Sequence, residues 1–318
     1  VVVQKIGNGY TFPQRSAVHA GHPPGSDEQT SFHGYLVKDL MMVEMLSRRL
    51  LLALLVLGIQ AAGVARPAEA DEKPIRALLV IGGCCHDYAA QQKLLTEGIS
   101  KRANVEWTIS YDPDTGTNHL NPWYGKEDWS EGFDVVVHDE CSANVKDIAT
   151  VQKILKPHRD GLPAVVLHCG MHSYRTEGYP QTTPWFDFTG LASTGHGPKK
   201  PIDITFVSEQ HPITQGLSNW RTEDEELYNN SNGRLLETAE PLATGFQKWS
   251  GKNGKENEAN AVVAWTNRYN GGTRVFSTTL GHNNVTVGDD RYLDLVTRGL
   301  LWSVGRLEKT AAKPSADQ

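Results

Sequence analysis

Between residues 74 and 306 the spacing of apolar residues switches back and forth between two periods, and each switch marks an element. Residues 75–81 (IRALLVI) form a nearly unbroken apolar run that ends at Gly82-Gly83 and predict a buried first strand. Residues 89–102 read as a helix, 105–111 (VEWTISY) as a second strand, and a loop rich in Asp, Pro, Gly and Trp follows to about residue 131. Residues 133–138 (FDVVVH) predict a third strand, 145–159 a helix closed by Gly161, and 163–168 (PAVVLH) a fourth strand. Strands alternating with helices imply parallel pairing, with both faces of the sheet covered. The second half is more mixed. Residues 202–207 (IDITFV) read as a strand, and 261–265 and 274–280 as a hairpin around Asn270-Gly271-Gly272. Residues 290–306 carry helical spacing, as expected of a closing helix. The Lys- and Gly-rich stretch at 248–258 is expected to be an exposed loop and 309–318 a frayed tail.

The chain has 318 residues, 39% hydrophobic and 21% charged, which is ordinary for a globular protein. Setting the first 70 aside leaves about 240, enough for one large α/β domain spanning 71–308. Residues 41–70 carry the marks of a signal peptide: Arg48-Arg49, an apolar stretch over 50–59, and Ala68-Glu69-Ala70 as a cleavage site. The apolar stretch is too short to span a bilayer, so no stable membrane anchor is expected after cleavage. Ser47-Arg48-Arg49 also admits a twin-arginine signal. Residues 1–40, rich in Gly, Pro, His and Gln and without periodicity, are expected to be disordered or to precede a true start at Met41, Met42 or Met45. The mature protein is then expected to be periplasmic or secreted. A net charge of −6 with no basic stripe argues against a nucleic-acid partner. The four cysteines form no zinc-type CxxC pair, and adjacent Cys84 and Cys85 are not expected to bond to each other.

Polar residues gather just after the predicted strands. They are Gly82-Gly83-Cys84-Cys85-His86-Asp87-Tyr88, His138-Asp139-Glu140, His168-Cys169-Gly170-Met171-His172, and Gly281-His282-Asn283. In an open parallel sheet, ligands bind at the carboxyl ends of the strands, so these distant segments should meet at one edge. Histidine suits that place as acid, base or metal ligand. His86, His168 and His282 are therefore candidate catalytic residues, although any one of them could equally satisfy a buried carbonyl. Gly83, Asp87, Tyr88, His172 and Tyr228 are candidate substrate contacts. The run Glu223-Asp224-Glu225-Glu226 reads first as a solvated face. Its place before Leu227-Tyr228 also allows Glu226 to turn inward as a catalytic carboxylate. His211-Pro212-Ile213-Thr214 reads as a turn, and His196, between two glycines, as part of a lid-like loop.

Taken in order, several of these pieces resemble the ThuA (trehalose-utilisation) family. They are Gly82-Gly83 with His86-Asp87-Tyr88, the strand ending in His168, His211-Pro212-Ile213-Thr214 with Gly216-Leu217, Glu226-Leu227-Tyr228, and Arg274-Val275-Phe276 leading to Leu280-Gly281-His282. The chain departs from the family's Gly-Gly-His-Asp by placing Cys84-Cys85 before His86, and has Glu225 where an Asp is usual. The resemblance implies a flavodoxin-like fold of the class I glutamine amidotransferase type, a three-layer α/β sandwich with a mostly parallel central sheet. It also implies a role in trehalose or related disaccharide utilisation. The partner would be a small sugar or keto-sugar. The reaction would be a hydrolase, lyase or isomerase step on a carbonyl compound such as a 3-keto-glycoside.

Several alternatives stay open. Metal binding is one: His86, His168 and His282 with Glu226 are candidate ligands, and zinc suits imidazole-rich ligation. A glutaminase built on Cys169 is disfavoured, because Leu167 and Met171 replace the small residues that a nucleophile elbow needs. A non-catalytic carbohydrate-binding or interaction domain is a third reading, with Trp123, Tyr124, Trp129 and Trp185 available to stack on sugars. The sequence also leaves homo-oligomerisation open.

Overall fold

The apolar run at 75–81 becomes β1 (Ile75–Gly83), flanked in parallel by β2 (Val105–Asp112) and β3 (Val135–Cys141). A strand so placed is covered above and below, so it has no polar face to alternate with. The computed structural model describes residues 73–230 and 235–307, which form one compact unit. The expected signal peptide at 41–70, the segment 1–40 and the tail at 309–318 lie outside the described residues. No helix among the described residues is long and apolar enough to cross a membrane.

The nine strands run in the order β2-β1-β3-β4-β9-β8-β7-β5-β6. β4 (Ala164–Leu167) and β9 (Thr273–Thr278) extend the parallel half. The other half corrects the expected mostly parallel sheet. β8 (Glu256–Tyr269), β7 (Ala239–Ser250), β5 (Ser193–Phe206) and β6 (Trp220–Asn230) pair antiparallel, so the sheet is mixed. The reason lies in the connections: parallel neighbours need a long crossover, usually a helix, whereas β7, β8 and β9 follow one another through short turns. The β8–β9 turn sits at Asn270-Gly271, both with positive φ, as the hairpin reading expected. The stretch 248–258 is not one loop. β7 and β8 run through most of it, with Ser250 paired to Glu256.

Helices cover both faces of the parallel half. α1 (Tyr88–Ser100) and α5 (Asp290–Ser303) lie on one side, where Ala77, Leu79, Ile81, Val135 and Val137 meet Leu95, Ile99, Leu295 and Val296. On the other side, Leu78, Val80 and Val136 meet Val151, Ile154 and Leu155 of α2 (Ile148–Arg159), with Phe188 of α3 (Pro184–Thr189). The two cores take alternate residues of the same strands, because successive side chains point to opposite faces. A short helix α4 (Asn284–Val287) precedes α5.

Two further expectations are corrected here. His138, Asp139 and Glu140 do not follow β3 but lie within it, all buried. His138 faces the second core, with Nε2 3.1 Å from His158 Nε2 and Nδ1 3.0 Å from Glu140 Oε1, which also accepts from the Tyr124 and Tyr174 hydroxyls. This network satisfies buried polar groups away from the sheet edge. The aromatic residues proposed to stack on sugars belong to the same core. Tyr124, Trp129 and Trp185 are buried, and half-buried Trp123 is covered by the Lys126 ammonium.

Candidate functional site

Three imidazoles converge at the carboxyl edge of the parallel strands. His86 sits in the turn between β1 and α1, His168 opens a single 3-10 turn directly after β4, and His282 lies between β9 and α4. The His86 ring lies 4.7 Å from both the His168 and His282 rings, and those two are 5.5 Å apart. Glu226 reaches them from β6, with Oε2 3.2 Å from His282 Nδ1 and 3.8 Å from His168 Nε2. His196 closes the group, its Nδ1 3.5 Å from Glu226 Oε1; it belongs to β5 and not to a lid loop. A cavity of about 490 Å³ opens beside them, its wall including His86, His282, Glu226, His196, His172 and Tyr228, with His168 packed behind it.

The hydrogen bonds decide which nitrogen of each ring carries a lone pair. His168 Nδ1 lies 2.7 Å from the Thr279 carbonyl, and His86 Nδ1 3.1 Å from the His282 carbonyl. A carbonyl only accepts, so both rings donate from Nδ1 and keep Nε2 unprotonated when neutral. His282 Nδ1 faces the Glu226 carboxylate, which selects the same tautomer. Burial keeps His86 and His168 neutral: it lowers His86 to about 4 and pushes His168 well below its ordinary value. Burial opposes ionisation of Glu226, but the hydrogen bond from His282 and the polar imidazoles around it outweigh that and hold the carboxyl below its usual value.

This donor set fits a divalent cation. One nitrogen from each of His86, His168 and His282 lies within 4.8 Å of the others. Tetrahedral ligation at about 2.0 Å would bring them to roughly 3.3 Å apart, a closure within reach of side-chain rotation. His168 Nε2 is buried without a hydrogen-bond partner, the costly condition that a bound cation relieves.

The other expected contacts divide. His172 and Tyr228 line the cavity with their rings stacked 4.0 Å apart, and His172 Nε2 pairs with Ser193 Oγ at 2.9 Å. Gly83, Asp87 and Tyr88 stand behind the wall. Asp87 caps α1 at Ala90 and accepts from Asn284 Nδ2 at 2.8 Å, while Tyr88 is buried beside His86. Gly83, at φ 100°, lets β1 pass close to β3: a Cβ there would lie 2.6 Å from the Cys141 carbonyl oxygen. His211 occupies its turn, with Nδ1 accepting from the Ile213 N–H.

Sequence reading missed two features. Glu225 is fully buried, and its carboxylate accepts backbone N–H groups from Glu226 at 3.0 Å, His282 at 2.9 and 3.1 Å and Gly281 at 3.3 Å. It therefore holds the segment that carries His282. A buried acid beside Glu226 is hard to read from four consecutive acids, because only register tells which point inward. The second feature is a disulfide between Cys84 and Cys85, contrary to expectation, on the cavity wall. Cys169 meets His86 Nε2 at 2.9 Å. Donation of its S–H to Cys141, together with burial, pushes the Cys169 thiol well above its ordinary value, which opposes the thiolate that a glutaminase needs.

Two solved structures with TM-scores above 0.5 share this architecture. A ThuA-like protein from Parabacteroides merdae is 18% identical, covers 76% of this chain and 94% of its own, and superposes with a TM-score of 0.55. A ThuA-like protein from Bacteroides uniformis is 16% identical, with 74% and 94% coverage and a TM-score of 0.53. A glutamine amidotransferase from Thermotoga maritima is 10% identical over 73% of this chain and 98% of its own, with a TM-score of 0.43. No curated protein sequence matches the chain. The family described as "ThuA: Trehalose utilisation" matches residues 76–303, so the chain belongs to the ThuA family.

Proposed function

We propose that the protein acts on a sugar-derived carbonyl compound, such as a 3-keto-glycoside, by removing the proton next to the carbonyl. The observation that carries this reading is the clustering of His86, His168, His282 and Glu226 from four separate segments, with His86, His282 and Glu226 on the wall of one cavity. Glu226, ionised and largely screened from water, takes the proton. His196, with Nδ1 3.5 Å from Oε1 and donating to the Gly197 carbonyl at 2.8 Å, marks the exposed side of the carboxylate from which solvent takes the proton on. The Nε2 lone pairs of His86, His168 and His282 hold a divalent cation such as zinc. When bound, it supplies positive charge for the enolate oxygen. Lys199 and Arg175 on the cavity wall add positive charge for an oxygen-rich, electron-rich intermediate. Loss of the proton weakens the bond to the leaving group one carbon further on, which suits cleavage of a keto-glycoside.

The test is metal analysis of the purified chain together with turnover of native and 3-keto disaccharides. His168→Ala and His282→Ala should each lose bound metal and at least about 100-fold in kcat, the scale of a lost general acid–base or oxyanion contribution. Turnover unchanged in both variants refutes the mechanism. The reading includes export, supported by Arg48-Arg49, the apolar stretch 50–59 and Ala68-Glu69-Ala70. N-terminal sequencing of secreted material should begin near Asp71.

A further inference from the structure

All four cysteines of the chain line the one cavity, and they are graded from surface to interior. Cys85 is exposed, Cys84 half-buried, and Cys141 and Cys169 are buried. Cys84 and Cys85 are joined, and Cys84 Sγ also touches the free Cys141 Sγ at 3.4 Å. Cys141 in turn is hydrogen-bonded to Cys169. The backbone accounts for the contact. β1 pairs with β3 so that Gly83 stands opposite Cys141, and the missing side chain at Gly83 lets Cys84 start beside it.

We propose that this cluster is a thiol–disulfide exchange site in which Cys141 is the resolving thiol for the Cys84–Cys85 bond. A sulfur electron pair of Cys141 attacks Cys84 Sγ. The Cys141–Cys84 bond forms as the Cys84–Cys85 bond breaks, and Cys85 leaves with the electron pair and takes the proton that Cys141 gives up. The step is an internal exchange with no net oxidation, so it needs no outside reagent. It turns a closed two-residue ring into a cross-strand bridge and delivers a free thiol to the exposed position. That position is where a small thiol or disulfide of the glutathione class can reach. Cys85 adopts a positive φ of 81°, unusual for a residue with a side chain, and breaking the ring removes one constraint that holds it there. His86 follows directly, so the exchange acts on the turn that carries one imidazole of the site. The exchange does not depend on the catalytic reading of the histidines.

The experiment is a disulfide map of the full chain. Wild-type protein is equilibrated in glutathione buffers from reducing to oxidising poise, alkylated under denaturing conditions, digested and analysed by mass spectrometry. A Cys84–Cys85 bond stays within one peptide, whereas a Cys84–Cys141 bond links two. The expected result is the linked pair as a measurable fraction, with Cys85 alkylated in that fraction. In Cys85→Ser, oxidised glutathione should drive Cys84 and Cys141 into the linked form. Wild-type protein that shows only the Cys84–Cys85 bond at every poise, with Cys141 alkylated throughout, overturns the proposal. The wild-type map decides the question even where the variant does not fold.

Discussion

Glu225 gives the sharpest quantitative expectation. It is 0% exposed, and its two oxygens take backbone N–H groups from Glu226, Gly281 and His282. In Glu225→Ala these three donors lose their acceptor. A buried unsatisfied donor costs about 1–3 kcal/mol, so the gross loss is roughly 3–6 kcal/mol once water entering the vacated space is allowed for. Burial raises the Glu225 carboxyl above its ordinary value, and Ala removes that penalty of holding a charge inside. The relief offsets about 1–2 kcal/mol, leaving a net loss of roughly 2–4 kcal/mol. For a domain of this size each kcal/mol shifts Tm by about 2–4 °C, so Tm should fall by about 4–16 °C. Glu225→Gln keeps the shape and one accepting oxygen and should lose about half as much. Thermal unfolding followed by circular dichroism measures both, and zinc titration should show weakened binding in both because His282 is no longer held. A Glu225→Ala protein that melts within about 1 °C of wild type would refute the assignment of Glu225 as the anchor of that segment.

Acid should destabilise the fold through buried neutral histidines. Burial, then the neighbouring His138, hold His158 to about 3 against an ordinary 6.5. As pH falls below 6.5 the unfolded chain takes up the proton and the folded chain does not, so stability is complete above 6.5 and is lost down to about 3. At pH 5 the loss from this one ring is about 2 kcal/mol. His158→Leu should be less stable than wild type at pH 7.5 yet show an acid limb flatter by about that amount in urea unfolding at pH 7.5, 6 and 5. An unchanged slope would count against the buried neutral ring. Gly83→Ala should cost about 2 kcal/mol or more by the same method, because φ is 100° and the added Cβ meets the Cys141 carbonyl. Wild-type stability in that variant would show that β1 can move away from β3.

β1, β3 and β4 of the parallel half were legible because each is covered on both faces and so becomes a run of apolar residues. Residues 75–81 and 163–168 illustrate this, predicted within two residues of β1 and β4. Helices 89–102 and 290–306 were legible from their spacing because each buries one face against the sheet. β5 was largely illegible. Its first half, Ser193 to Pro201, is rich in Gly, Lys and Pro and is mostly exposed, and shifts of register interrupt its pairing with β6. The candidate imidazoles were found because they follow apolar runs. His138 was misplaced because its strand continues through Cys141, carrying polar residues into the interior where Tyr124, Tyr174 and His158 satisfy them.

What the sequence by itself determined was the family, the two-sided α/β half and the identity of the imidazoles. Each of these depends on local spacing and order along the chain. Tertiary structure alone decided that the second half runs antiparallel, that Glu225 and Glu226 turn inward from a run of four acids, and that four cysteines share one cavity wall with His86 and His282. Those outcomes depend on strand register and on contacts between residues far apart in sequence. A shift of one position reverses which face a side chain takes, and no local pattern carries that information.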